Sequence, residues 1–304
     1  VRFFKKGRRV LCQGIHAKYA FKKQQRKQYP ISQMAQWLGL SRSGFYNWLQ
    51  LKSAPKQAHR QLLEVKIRAA HAHGRMTYGP RRLQKELAAD EVQIGLSQLR
   101  YLRRRLGLLC IQAKKFKATT HSNHSLPVKE NLLGQCFEPV KPNEMWVSDI
   151  SYIATAEGWL YLAGIKDVFT CEIVGYAMGS RMTKELVSAA LTLALAQKRP
   201  KEGLILHSDR GSQYCSHDYQ RQVALAGLRG SMSRKGNCYD NAPMESFWGS
   251  LKNELVHHRS YKTRVEAQEE ITEYIEIFYN RIRRHSRLND EAPAVFAKQF
   301  ELEN

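Results

Sequence analysis

Three acidic residues in the second half of the chain could do chemistry together. Asp149 interrupts a run of strand-forming residues in MWVSDISYI, Asp209 ends the short apolar run LILHSD, and Glu245 falls in the first turn of the helix-like segment NAPMESFWGSLKNEL. An apolar run that stops abruptly on an acid reads as a buried strand whose last residue emerges at a sheet edge. In the helical segment Asn241 is placed to cap, Pro243 suits the first turn, and Phe247, Leu251 and Leu255 share one face. Between Asp209 and Glu245 lie 35 residues, and Asp149 precedes Asp209 by 60 positions. Held within a few ångströms, three carboxylates would push one another's pKa values up. Divalent cations remove that repulsion. Mg²⁺, with Mn²⁺ as substitute, suits an all-oxygen site that also takes phosphate oxygens. Two ions per site, roughly 3.5–4 Å apart, would activate an attacking oxygen and stabilise the leaving one in an in-line displacement. No GxxxxGK[ST] and no GxGxxG occurs, so the energy must come from the phosphodiester itself.

A lone Asp or Glu is usually a helix cap or a surface ion-pair partner. Here spacing, context and charge agree on the metal reading. Residues 1–125 hold 27 Lys and Arg against 4 Asp and Glu, whereas residues 126–304 hold 22 against 23. Nearly all of the net charge of +22 therefore sits in the first 125 residues. Such asymmetry points to a nucleic-acid-binding region joined to a near-neutral domain with another task. The 43% hydrophobic share allows a proper core, and no stretch is long and apolar enough to span a membrane. The six cysteines, Cys12, Cys110, Cys136, Cys171, Cys215 and Cys238, form no CxxC, which argues against a zinc knuckle or a disulfide framework. Nothing resembles an export signal, and a cytoplasmic protein is expected.

The elements that must position the acids follow in order. Residues 1–29 are a basic arm. Residues 30–55 read as a helix-turn-helix: Ile31, Met34, Ala35 and Leu38 make one helical face, Gly39 breaks it, and Ser41 caps a second helix carrying Phe45, Trp48 and Leu49. Arg42, Ser43, Tyr46 and Asn47 would lie on that helix's outer face, towards DNA. Residues 56–115 form a second helical module, with a helix from Pro80, a break near Asp90–Gly95 and another helix capped by Ser97. Leu99, Leu102 and Leu106 point inward there, and Arg100, Arg103, Arg104 and Arg105 suit phosphate contacts. Residues 116–135, with His121 and His124 in a polar stretch, read as a linker rather than a metal site. The pattern then gives strands over 146–154, 159–169, 172–180 and 204–209, with a helix over 184–197 before the last. A meander followed by alternating helix and strand makes a mixed sheet with helices packed on it, an α/β fold in which ligands sit at strand ends.

WVSDISYI, HSDRGSQY, SRKGNCYDNAPMESFWGSLKNEL and the tail YNRIRRHSRLNDEAPAVF, with YGPRRL upstream, resemble the bacterial insertion-sequence transposases of the DDE class. The resemblance runs from about Tyr78 to the C-terminus. It is narrower to the OrfB-type product of elements that transpose by a copy-out, paste-in route, whose catalytic core is shared with retroviral integrases. It implies a ribonuclease H-like, mixed five-stranded sheet with flanking helices over residues 136–304, preceded by the all-α DNA-binding region. It also implies Asp149, Asp209 and Glu245 as catalytic metal ligands and Lys252, seven positions after Glu245, as a DNA contact. The integrase zinc module is absent from the sequence.

Around the acids, Ser233, Lys235, Asn237 and Asn241 are placed to hold the DNA backbone, with Gly236 allowing close approach. Arg210, beside Asp209, is similarly poised, and Arg284 belongs to a basic C-terminal end expected to meet DNA. Asp240 reads as structural. His207 flanks the site without being needed as a base. The expected activity is metal-dependent hydrolysis of a phosphodiester at the element's end to free a 3′-OH, then direct strand transfer by transesterification. The partners would be the element's terminal repeats and target DNA, bound by a homo-oligomer, with an upstream reading frame as partner or fusion. A nucleoid-associated location is expected. Two alternatives stand beside this: a DNA-binding regulator with an inactive core, and a metal-dependent ribonuclease H-like nuclease.

Overall fold

The computed structural model describes residues 14–51, 54–111, 127–235 and 237–303. The first part of the basic arm, most of the expected linker with His121 and His124, and Gly236 lie outside the described residues. The chain divides into two compact units, Val1–Ala69 and Ala70–Asn304.

The first unit holds helices α1 (Ile15–Gln25), α2 (Ile31–Leu38) and α3 (Arg42–Leu51), and α4 (Ala54–His73) begins in it. The turn between α2 and α3 is the expected one. Gly39 sits at φ +63°, a backbone shape that glycine takes at little cost, and Ser41 Oγ accepts the Gly44 N–H at 2.8 Å. Met34, Ala35 and Leu38 are buried on α2, as are Phe45 and Trp48 on α3. The arm is more than a charged tail: α1 adds Tyr19 to Phe45 and Trp48, and Phe21 to Met34 and Leu38.

The second unit is an α/β domain. Helices α5 (Pro80–Ala89) and α6 (Leu96–Arg105) precede a sheet of β1 (Met145–Thr155), β2 (Gly158–Asp167), β3 (Ile173–Gly179), β4 (Ile205–Ser208) and β5 (Arg229–Met232). Its order is β3-β2-β1-β4-β5: the first three strands form an antiparallel meander, and β4 and β5 run parallel to β1 and to each other. Between strands come α7 (Lys184–Lys198) and α8 (His217–Leu225), and after them α9 (Ala242–Glu254), α10 (Arg264–Glu273) and α11 (Pro293–Glu303). Side chains alternate along β1, so its two faces serve two cores. Trp146 joins Leu186, Ala190 and Leu191 of α7 on one side, and Val147 and Ile153 join Phe247, Leu251 and Ile271 on the other.

The structure amends several local expectations. RGSM is too short and polar to announce β5, yet it pairs along the whole of β4. Helix α6 starts at Leu96 behind Gly95, so Ser97 is inside the first turn and caps nothing. The C-terminal stripe of Ile271, Ile275 and Phe278 is buried, but the chain widens to a π-helix over Tyr274–Tyr279, which also buries Tyr274 and Tyr279. Helices α5 and α6 belong to the same compact unit as the sheet. Tyr78 Oη donates to the Ile282 carbonyl at 3.1 Å and accepts the Arg284 N–H at 3.0 Å, and Arg284 Nε donates to Glu86 at 2.6 Å.

Helix α7 lies directly on β3 because Gly175 has no side chain. A Cβ there would stand 2.4 Å from the Ala190 carbonyl oxygen and 2.6 Å from the Ala194 Cβ. Backbone cannot give way as a flexible side chain can, so Gly175→Ala should cost about 1–3 kcal/mol. Thermal unfolding reads this as a lowered Tm, and an unchanged Tm would mean that α7 does not rest on β3 so closely.

Candidate active site

The parallel pairing of β1 and β4 brings two of the acids together. The pairing runs from Met145 with Ile205 to Val147 with His207, and Asp209, just beyond it, is close enough for its charge to act on Asp149. Neighbouring strands are about 4.8 Å apart. Strand β4 ends at Ser208, and Asp209 leads out of the sheet, its Oδ1 accepting the Gly211 N–H at 2.8 Å. That Asx turn aims the carboxylate.

The third acid comes from α9. Glu245 is on the exposed side of its first turn, where the helix dipole favours a negative charge. Trp248, on the same helix, donates its indole N–H to Asp149 Oδ2 at 3.0 Å, while Asp149 Oδ1 accepts the Ile150 N–H at 2.8 Å. One indole thus ties the acid on the strand to the helix that carries Glu245. Sequence reasoning missed Trp248, although its spacing of three from Glu245 places both on adjoining parts of one helix surface. Helix α9 approaches this closely because Gly164 pairs with Asp149 on β2. A Cβ at Gly164 would stand 2.6 Å from Met244 Cε and 3.0 Å from Trp248 Cη2. Buried Lys166 holds the start of the helix, donating to the Pro243 carbonyl at 3.1 Å.

Burial, then the neighbouring charge of Asp209, then more weakly that of Glu245, pushes the Asp149 pKa up to about 7. Loss of solvent also raises Glu245. Tyr214 closes the back of the site, its hydroxyl 3.0 Å from Ser148 Oγ. Burial, with both aspartates adding, keeps its phenol protonated far above the usual range. Half-buried Lys252 is lowered by burial and raised by Asp149, and its Nζ lies 5.1 Å from the centroid of the Tyr152 ring.

The flanking residues divide into struts and surface groups. His207 is fully buried and bonded through both ring nitrogens, to Ser231 Oγ at 2.8 Å and Ser233 Oγ at 3.1 Å. Burial lowers its pKa to about 4, so it is a neutral link between β4 and the strand beyond. Asp240 is structural as expected. Its bonds to Arg234 hold it well below the usual carboxylate range, and Asn131 and Gln135 complete its shell.

Several residues expected at DNA make bonds within the fold. Ser233 is buried against His207, and Asn241 donates to the Ser148 carbonyl at 3.1 Å instead of capping α9. Arg103 is buried with a bond to Cys110 Sγ at 3.2 Å, and Arg284 is paired with Glu86. Arg210 Nε donates to the Ser233 carbonyl at 2.6 Å, and Asn237 accepts the Tyr239 N–H at 3.1 Å, capping the turn before α9. Lys235, Arg100, Arg104 and Arg105 are exposed, as are Arg42, Ser43, Tyr46 and Asn47 on the outer face of α3.

Among the described residues no group of three His, Cys, Asp or Glu is drawn together tightly enough to hold a metal ion. Asp149 and Asp209 are the more strongly interacting pair, Glu245 acting on Asp149 more weakly. The pair suits a hard divalent cation: its donors are carboxylate oxygens, and the raised Asp149 is the sign of negative charge short of a counter-ion.

The family described as Integrase core domain matches residues 139–238, a second profile of that description matches residues 226–293, and the family described as HTH-like domain matches residues 57–116. The chain is similar to the insertion element IS600 uncharacterized 31 kDa protein of Shigella sonnei, at 58% identity over 88% of this chain and 98% of that protein. It is also similar to transposase InsF for insertion sequence IS3A of Escherichia coli (strain K12), at 40% identity over 94% of this chain and 99% of that protein. Among solved structures, the simian T-cell lymphotropic virus intasome in complex with PP2A regulatory subunit B56 gamma matches with a TM-score of 0.46, at 15% identity, covering 72% of this chain and 74% of that one. The HTLV-2 integrase catalytic core domain in complex with magnesium matches with a TM-score of 0.42, at 13% identity, covering 53% of this chain and 99% of that one.

An acid whose folded pKa is raised to about 7 costs stability as pH climbs from the ordinary carboxylate range through 7. Asp209→Asn removes the neighbouring charge, so in metal-free buffer at pH 8 it should melt higher than the unsubstituted protein, by roughly 2–4 °C for about 1 kcal/mol. The difference should shrink as the pH falls below 7 and Asp149 of the unsubstituted protein takes up its proton. Mg²⁺ should raise the Tm of the unsubstituted protein at pH 8 and leave that of the variant nearly unmoved. Equal Mg²⁺ responses would show that the pair does not take the ion.

Proposed function

The chain belongs to the insertion-sequence transposases with an integrase core, and on that premise we propose that Asp149, Asp209 and Glu245 carry its phosphoryl-transfer chemistry. The observation that supports the assignment is that Asp149 feels the charges of both Asp209 and Glu245 and accepts the indole N–H of Trp248 from the helix that bears Glu245. The three carboxylates would hold divalent cations, Mg²⁺ or in its place Mn²⁺, at two ions per site. When bound, these supply Lewis-acid stabilisation of the attacking and leaving oxygens.

The side chains around them have separate tasks. Trp248 keeps one oxygen of Asp149 engaged and so fixes the direction of the other. The Gly211 N–H does the same for Asp209. Lys252, within the field of Asp149, orients the scissile phosphate. Tyr214 and Ser148 exclude water from behind the acids. In the first step water attacks phosphorus at the element's end, the P–O3′ bond breaks, and the strand leaves with a 3′-OH. In the second, that hydroxyl attacks a target phosphodiester, one P–O bond replacing another without a covalent protein intermediate. The outer face of α3 and the exposed arginines of α6 hold DNA, and a homo-oligomer would bring two ends and a target together. An upstream reading frame is proposed as partner or fusion. The regulator alternative is disfavoured by the likeness to InsF along nearly the whole chain. A plain nuclease would cleave without joining.

Two variants should fail in opposite ways. Asp209→Asn should reduce 3′-end cleavage and joining at least about a hundredfold on labelled element ends with Mg²⁺. Its gel-shift affinity for the ends should be unchanged or slightly improved, since one repulsion with phosphate is gone. Replacing Arg42 and Tyr46 together with Ala should weaken end binding while sparing metal-dependent thermal stabilisation. Cleavage at the unsubstituted rate in Asp209→Asn would remove Asp209 from the site.

A further inference from the structure

Next to the acids, the β1–β2 hairpin carries a pair of aromatic rings that phosphoryl transfer does not use. Tyr152 lies three residues beyond Asp149, and Trp159 lies on the returning strand; their rings meet edge to face with centroids 4.9 Å apart. Trp48, Trp146 and Trp248 are buried, whereas Trp159 is 49% exposed. The Lys252 ammonium lies over the Tyr152 ring and is also within the field of Asp149. One cation therefore borders the acid site on one side and the aromatic pair on the other.

The hairpin is fastened from outside the sheet. Arg264 Nε donates to the Trp159 carbonyl at 3.0 Å, and the Arg264 backbone N–H donates to Glu157 Oε2 at 2.9 Å. The Ala156 N–H donates to the Tyr261 carbonyl at 3.0 Å, beside a bridge between Thr155 and Tyr261. These contacts hold the end of the hairpin without touching the acids. They keep a half-exposed indole at a fixed place beside the catalytic strand.

We infer that Tyr152 and Trp159 form a stacking platform for an unpaired base of the DNA strand held at the acids. The inference rests on the function proposed above and names how that site takes its substrate. An aromatic ring offers a flat apolar face that any base can cover, and a neighbouring ammonium attracts the phosphate next to it; single strands are held by this combination. A strand whose phosphodiester must reach carboxylates at a sheet edge leaves its duplex locally, and the exposed bases lose stacking partners. The platform supplies one. A cross-strand pair that served packing alone would bury the indole instead of leaving half of it in water.

The test uses the full chain carrying Asp209→Asn and duplexes of the element's end with 5-iodouracil placed one position at a time across the scissile phosphate. Irradiation should crosslink a base near that phosphate to Trp159 or Tyr152, as read by mass spectrometry of the peptides. With otherwise unsubstituted protein, Trp159→Ala should slow cleavage of fully paired ends roughly 5- to 100-fold, the range set by base–aromatic stacking. Trp159→Phe should restore most of that loss, and mismatches at the end should recover part of it. Crosslinks that map only to other peptides, or equal rates for Trp159→Ala and the unsubstituted protein, would overturn the platform. Absence of cleavage by the unsubstituted protein on every substrate would instead refute the catalytic reading, and the crosslink map would still decide where the base lies.

Discussion

Two like charges, Asp149 within β1 and Asp209 just past the end of β4, act on each other, and the rest of the domain has to keep them there. Solvation and mutual repulsion both favour their separation. Cores on both faces of the sheet oppose it. Val147, two residues before Asp149, is fully buried on one face, and Trp146 is fully buried on the other. Neither strand can slip without turning these side chains towards the wrong layer.

The helix with the third acid is fixed at three points. Gly164 lets it approach β2, and Lys166 binds the carbonyl of Pro243 at its start. At its far end Glu254 accepts two bonds from Arg283, at 2.8 and 2.7 Å, and one from the Tyr274 hydroxyl at 2.8 Å. Bidentate pairing of this kind fixes direction as well as distance. The neighbouring Arg284 reaches Glu86 on α5, so one short segment after the π-helix anchors both the catalytic helix and the helices that precede the sheet. Breaking such a buried pair leaves an uncompensated charge, which is why these arginines read as structural.

Much of this was legible in the sequence, for identifiable reasons. The meander, α7 and β4 carry strong apolar patterns, and Asp209 stands where the last of them stops. The turn around Gly39 and Ser41 was equally plain, since its conformation demands those residue types. What escaped was set by tertiary partners. Arg103, Arg284, Ser233 and Asn241 look like DNA contacts because basic and amide side chains near a site usually face solvent, and only the fold reveals Cys110, Glu86, His207 and the Ser148 carbonyl as their partners. Trp248 reads as core until its N–H is seen on Asp149. β5 carries too little apolar character to stand out, and its strand conformation comes from the edge of β4.

The central claim is that Asp149, Asp209 and Glu245 act as one ligand set although only the first two are paired in the free chain. Anomalous diffraction from crystals of the full protein with Mn²⁺ and an element end addresses it most directly. Mn²⁺ peaks are expected at Asp149 and Asp209 with Glu245 as a further ligand, since hard divalent cations take carboxylate oxygens. Saturating Mn²⁺ that leaves the Asp149–Asp209 pair unliganded, or that binds it with Glu245 still turned to solvent, would contradict it.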